Sequence, residues 1–126
     1  MNIKPQKNQP LKGVARLIAA WHNSRAGLRD IWRTEEAFRL EVIALIIFTP
    51  LSIVVGSSPF HAALLVASLI FVMIVEVLNS AIEATIDRIG PEHNELSRIA
   101  KDLGSLAVLL AMVLCALLWL VSIMTI

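Results

Sequence analysis

Charged and apolar residues occupy separate blocks along this chain. Between Glu41 and Glu76 no Asp, Glu, Lys or Arg occurs, and from Leu103 to Ile126 there is none either. Apolar stretches of this length read as membrane spans. The pattern predicts a first span over residues 37–55, a second helix over 60–89 and a third over 100–125. Gly56, Ser57, Ser58 and Pro59 supply a turn between the first two. Gly90 and Pro91 stop the second helix, and residues 92–96 form a polar connection. Ahead of the spans, residues 11–34 are amphipathic. Leu11, Ala15, Ile18, Trp21, Leu28 and Trp32 recur at helical spacing, with Arg16, Arg25, Arg29 and Arg33 among them. A basic helix with Trp and Leu on its other side has the composition of a segment lying in the membrane interface. Gly27 is a weak point where that helix is expected to kink or break. Residues 1–10, with two prolines and two lysines, are expected to be flexible. The expected fold is thus all-α and integral to the membrane: one domain over 1–126, a surface helix followed by three spans.

The second helix is about 45 Å long at ~1.5 Å per residue, and a bilayer core is ~30 Å thick. Its far end therefore projects into water. Pro50 interrupts the first span and frees the Ile46 carbonyl, which membranes tolerate when neighbours satisfy it. All eleven Lys and Arg lie in residues 1–39 or 88–101. With three spans both basic regions fall on one side, predicted to be the cytoplasm; the 56–61 turn and the C-terminus fall on the other.

The composition, 57% hydrophobic, is too apolar for a soluble domain of this size. The net charge of +1 excludes little, and nothing points to nucleic acid. Cys115 is the one cysteine, so no intrachain disulfide is possible, and a packing role is its simplest reading. No apolar segment follows the basic N-terminus directly, so no cleavable signal peptide is expected. The five glycines are isolated; there is no phosphate-binding glycine loop and no soluble-kinase motif.

Glu76 carries the most chemistry. It lies in the apolar run 62–82, where an acid costs roughly 2.5–3.5 kcal/mol on insertion scales. Asn79, Ser80, Glu83 and Asp87 follow at offsets of 3, 4, 7 and 11, on the same helical face. The other helices begin at the same membrane level, one with Glu35 and Glu41, the other with Lys101 and Asp102. Clustered carboxylates repel unless a cation joins them. Mg²⁺ typically takes one or two carboxylates plus phosphate oxygens, a lysine suits phosphate, and an isolated carboxylate can act as a general base. Together these residue types read as phosphoryl transfer to a lipid hydroxyl. The structural alternative is hydrogen bonding between helices, a role that suits Asn79 and Ser80. Asp87, Glu92 and Glu95 read equally well as solvated surface. His22, His61 and His93 share no metal-ligand spacing, and His61 reads as a plain interfacial residue. Trp21, Trp32 and Trp119 suit interfacial anchoring.

Three segments carry a resemblance. They are Glu35-Glu-Ala-Phe-Arg-Leu-Glu41, Val75-Glu-Val-Leu-Asn-Ser-Ala-Ile-Glu83 with Asp87-Arg-Ile-Gly90, and Glu95-Leu-Ser97 with Ala100-Lys-Asp-Leu-Gly-Ser105. Across residues 16–119 the chain resembles the bacterial diacylglycerol kinase family. The resemblance implies a homotrimer in the bacterial inner membrane, N-terminus cytoplasmic and C-terminus periplasmic, with active sites shared between neighbouring subunits. It implies transfer of phosphate from ATP, with Mg²⁺, to 1,2-diacylglycerol, giving phosphatidic acid. Glu76 would be the base, and Asn79 would position it or the γ-phosphate. Glu35 and Glu83 would hold the metal. Lys101 would contact phosphate, with Asp102, Glu92, His93 and Asn94 on the nucleotide side. Arg16 would lie near nucleotide and lipid; Glu41, Glu76, Ser105 and Trp119 would face the lipid. Asn23 falls at the nucleotide side where close relatives are expected to carry an aromatic residue, and Glu36 and Leu40 also depart from the family pattern.

A polyprenol kinase would share most of these charged motifs, but the tryptophan-bearing surface helix and the form Val75-Glu-Val-Leu-Asn-Ser80 resemble the glycerolipid branch more closely. A proton-coupled transporter would also use a membrane glutamate, yet such sites lie near the midplane, whereas these acids gather at one face. A non-catalytic adaptor would have no need of three aligned acids.

Overall fold

A computed structural model describes residues 10–126. The flexibility expected of residues 1–10 falls, but for Pro10, outside the described residues. The described chain forms four helices and no strand: α1 (Gly13–Thr34), α2 (Glu36–Val55), α3 (Pro59–Ile89) and α4 (Glu95–Met124). Residues up to Asp30 form one unit and Ile31–Ile126 a second. In the first unit α1 runs unbroken through Gly27; one glycine costs a helix about 1 kcal/mol relative to alanine, too little to break 22 residues. Leu17, Ile18, Trp21 and Leu28 stand exposed on it, as an interfacial helix requires.

In the second unit α2, α3 and α4 are each long and apolar enough to cross a membrane. The protein is therefore a membrane protein of the all-α class. Helix α3 is the middle one and packs against both α2 and α4. Along α3 the buried residues are Leu65, Ser68, Val72 and Glu76, and along α4 they include Gly104, Ala111, Cys115, Trp119 and Ser122. Three pairs fix the antiparallel register of these two helices: His61 with Ser122, Ser68 with Cys115, and Asn79 with Gly104. The steps from pair to pair are seven and then eleven residues on both helices, which are two and three helical turns. Val55, Leu65, Val72, Ala111, Cys115 and Trp119 form the core. Most other large apolar side chains are exposed, and lipid tails are the solvent that such a surface suits.

The α2–α3 turn is tight because Gly56 lacks a side chain. A Cβ there would stand 2.7 Å from the Ser52 carbonyl oxygen and 2.8 Å from the Ala62 nitrogen. Ser58 caps α3, its hydroxyl accepting from the His61 N–H at 3.1 Å, and Pro59 occupies the first turn. Helix α2 continues through Pro50. Beside the proline, the Thr49 hydroxyl donates to the Leu45 carbonyl and that of Ser52 to the Thr49 carbonyl, each at 2.6 Å.

His61 is not the plain interfacial residue expected from sequence. Its Nδ1 accepts from the Ser57 N–H at 3.2 Å, so Nε2 carries the hydrogen. Nε2 then donates to the Ser122 hydroxyl at 2.8 Å, and that hydroxyl donates to the Leu118 carbonyl at 2.7 Å. The start of α3 is tied to the end of α4 by this chain of bonds. His61→Ala should lower unfolding stability in micelles by about 0.5–1.5 kcal/mol, measured by denaturant titration; an unchanged midpoint would show that the bond contributes nothing.

Helix α4 begins at Glu95, ahead of the expected residue 100. Asn94 is the reason: its Oδ1 accepts from the Leu96 and Ser97 N–H groups at 3.0 and 3.1 Å. This N-cap satisfies amides that the first helical turn leaves without partners.

Candidate active site

The polar stripe of α3 passes from the inside of the bundle to its surface. Glu76 is buried, at 6% exposure. Asn79, Ser80 and Glu83 are half-buried and Asp87 is exposed. The helical offsets alone put these residues on one face; the packing of α4 decides how deep each lies.

Asn79 is held at both ends of its amide. Its Nδ2 donates to Glu83 Oε1 at 3.3 Å. Its Oδ1 lies against Gly104 of α4, where a Cβ would stand 2.1 Å away. Gly104 is thus the cradle for this side chain, a part of the site that sequence reasoning passed over. Asn79 Oδ1, Ser80 Oγ and Glu41 Oε2 are buried and make no hydrogen bond. Unpaired buried polar atoms are costly, and each is open to a water, an ion or a bound group.

Glu35 is the N-cap residue of α2 but makes no capping bond with its side chain. Its carboxylate and that of Glu83 stand close enough to Glu76 to act on it electrostatically, and Glu76 acts likewise on Glu41. Four acids therefore interact in one region, with Glu76 buried and Glu35, Glu41 and Glu83 half-buried. Among the described residues no group of three or more His, Cys, Asp or Glu side chains could hold a metal ion. The donor set is all oxygen, and a hard cation held by two carboxylates and completed by phosphate oxygens and water fits it.

Lys101 and Asp102 lie on the rim. The Lys101 ammonium pairs with Asp87 Oδ1 at 2.7 Å, bridging α4 to α3. Arg98 Nη1 pairs with Asp102 Oδ2 at 2.5 Å, and the same guanidinium pairs with Glu95. Sequence reasoning did not single out Arg98, although Glu95, Arg98 and Asp102 recur at helical spacing. These partners are solvent-exposed, and water and salt screen such pairs, so an incoming phosphate can displace them.

The remaining predicted residues divide. Glu92 and His93 are exposed on the connection, His93 3.9 Å from Glu95. Asn94 spends its side-chain oxygen on the cap. Ser105 is exposed one residue beyond Gly104. Arg16 and Asn23 lie exposed on α1. Trp119 is fourteen residues beyond Ser105 on α4, about 21 Å along the axis. It does not anchor at a surface as expected: its ring is 6% exposed and packs edge-to-face on Phe48, with centroids 5.1 Å apart. The inward helical row of Ala111 and Cys115 carries it into the core. Trp21 and Trp32 do stand exposed.

Comparison with known proteins gives a consistent answer. The family model described as prokaryotic diacylglycerol kinase matches residues 22–123. The chain is similar to a protein named diacylglycerol kinase from Escherichia coli K12, 45% identical over 107 residues, which is 85% of this chain and 88% of that one. A protein of the same name from Haemophilus influenzae is 38% identical over 107 residues, 85% of this chain and 91% of the relative. Another from Pseudomonas aeruginosa is 38% identical over 119 residues, covering 94% and 95%.

Proposed function

The chain belongs to the prokaryotic diacylglycerol kinase family, and we propose from that premise that it phosphorylates 1,2-diacylglycerol with MgATP at the cytoplasmic face of the inner membrane. It is a membrane kinase, a phosphotransferase. The observation that carries the reading of its site is Glu76, buried, coupled electrostatically to Glu41 and leading through Asn79 and Glu83 to a rim of ion pairs that includes Lys101.

The lipid hydroxyl donates its hydrogen bond to Glu76, whose carboxylate takes the proton as the hydroxyl oxygen attacks the γ-phosphorus. The bond from that phosphorus to the bridging oxygen of ADP breaks, ADP leaves, and phosphatidic acid remains with the transferred phosphoryl group. Glu35 and Glu83 would hold Mg²⁺, which when bound neutralises charge on the phosphates. Asn79, fixed by Gly104 and Glu83, orients the reacting groups. Lys101 exchanges Asp87 for a phosphate oxygen, with Asp102, Glu92, His93, Asn94, Arg16 and Asn23 completing the nucleotide side. Glu41, Ser105, Arg16 and Trp119 form the lipid side. A homotrimer is the assembly proposed, with the N-terminus cytoplasmic and the C-terminus periplasmic; the distribution of Lys and Arg supports that orientation.

The deciding experiment offers dioleoylglycerol and undecaprenol separately to the purified protein in mixed micelles with labelled ATP. Labelling of the glycerolipid supports the proposal. Labelling of the polyprenol alone would keep the chemistry and change the substrate, and labelling of neither by a folded oligomer would defeat it. A narrower prediction concerns the metal. Glu83→Gln should raise the Mg²⁺ concentration needed for half-maximal rate by about tenfold or more, as outer partners of metal sites already cost 10–100-fold. An unmoved Mg²⁺ titration would remove Glu83 from the metal.

A further inference from the structure

Arg98 is a cation for which the mechanism above has no use. It closes the first turn of α4, three residues before Lys101 and four before Asp102. Its Nε–H donates to both Glu95 carboxylate oxygens, at 3.1 Å each, and Nη2 donates to Glu95 Oε1. Nη1 donates to Asp102 Oδ2 at 2.5 Å. A guanidinium carries five N–H donors in a planar fork. Glu95 takes the Nε–H and one Nη2–H, and Asp102 takes one Nη1–H. These bonds leave one N–H on each terminal nitrogen, and the side chain is half-exposed.

Helix stability does not account for this position. The start of a helix is the positive end of its macrodipole and disfavours a cation. The charge of the surroundings does account for it. From Glu83 to Asp102 there are five Asp or Glu and three Lys or Arg, so this rim is acidic on balance, and Lys101 faces Asp87. A lone lysine in that field attracts a polyanion weakly. Residues three apart on a helix have Cβ atoms about 5–6 Å apart, so Arg98 and Lys101 can reach one polyphosphate together. The fork supplies what a lysine does not, a fixed plane with paired donors for two phosphate oxygens. Glu95 holds one edge of that plane through two nitrogens, whereas Asp102 holds by one. Asp102 is therefore the partner that a phosphate replaces, and Glu95 the one that keeps the fork oriented meanwhile. We propose that Arg98 is a phosphate-binding residue of the nucleotide site, oriented by Glu95 and acting beside Lys101 on the polyphosphate of ATP. This assignment rests on the MgATP reading given above and adds to it a residue and the part of the nucleotide it takes.

The test uses the full-length protein in mixed micelles. It measures kcat, KM for ATP, KM for dioleoylglycerol and the inhibition constant of magnesium tripolyphosphate against ATP. Arg98→Gln should raise KM for ATP and the tripolyphosphate constant together by about tenfold, the scale of one charge-assisted bond. Turnover at saturating ATP and KM for dioleoylglycerol should stay as in wild type, the pattern of lost ground-state binding. Arg98→Lys keeps the charge without the fork and should restore only part of the loss. Full restoration by lysine would reduce Arg98 to a diffuse charge and overturn the assignment. A rise in KM for ATP with the tripolyphosphate constant unmoved would place Arg98 at the nucleoside end, which also overturns it. Wild-type constants in Arg98→Gln would overturn it and leave the kinase reading standing. Absence of ATP-dependent lipid phosphorylation by the wild-type protein would remove both.

Discussion

Glu76→Gln is expected to lower kcat for lipid phosphorylation by about 10²–10⁴-fold, the range for loss of a positioned general base, with the folded protein intact. The amide has nearly the shape of the carboxylate, so the buried site is neither emptied nor overfilled. It also removes the charge that Glu35, Glu41 and Glu83 face. Like charges in a dry region repel, so the variant should unfold at the same denaturant concentration as the parent, or a higher one. Activity and stability therefore move in different directions, which separates a catalytic from a structural role. The measurement is kcat in mixed micelles beside a denaturant titration of the same preparation. A variant retaining kcat within threefold would remove Glu76 as the base.

Gly104→Ala should have the next largest effect, although it adds only a methyl group. That carbon would stand 2.1 Å from Asn79 Oδ1 and 3.2 Å from its Cγ. Asn79 has to swing away or α4 has to retreat. Overpacking of this kind costs about 1–3 kcal/mol. Displacing a positioning group by an ångström can cost about 10²-fold in rate, and kcat is expected to fall by that order. Asn79→Ala gives the control: it removes the atoms that Gly104→Ala would strike. In the double variant the stability loss from Gly104→Ala should largely vanish, a non-additivity that only residues in contact show. Additive losses would mean that the two residues do not meet.

The spans were legible because their boundaries are charges. The 34 residues between Glu41 and Glu76 and the run after Asp102 have no other reading in a helix-forming chain. The stripe from Glu76 to Asp87 was legible for a similar reason, since helical spacing depends on one element alone. What required a second helix was not. Gly104 became part of the site only through the register that sets it opposite Asn79. His61 and Ser122 are 61 residues apart, and no local pattern joins them. Trp119 resembles an anchor by residue type and is turned inward by the helical row of Ala111 and Cys115. Asn94 is a different case: an Asn just ahead of Glu95-Leu96-Ser97 is a cap signal that could have been read locally, and its assignment to the nucleotide side hid it.

The burial of Glu76 also bears on how the chain is made. Asn79, one turn further on, finds the seat for its Oδ1 on α4, against Gly104, and α4 follows α3 in synthesis after a five-residue connection. While α3 is newly delivered to the bilayer, its acid meets lipid near one face of the membrane with no α4 beside it, and a carboxylate in hydrocarbon is costly. Arrival of α4 in register is what shelters this end of the stripe. The two helices therefore make a natural unit of biogenesis, a hairpin whose second arm stabilises the first, and a nascent chain released near Gly90 presents the translocon with a span that has its acid and lacks its cover.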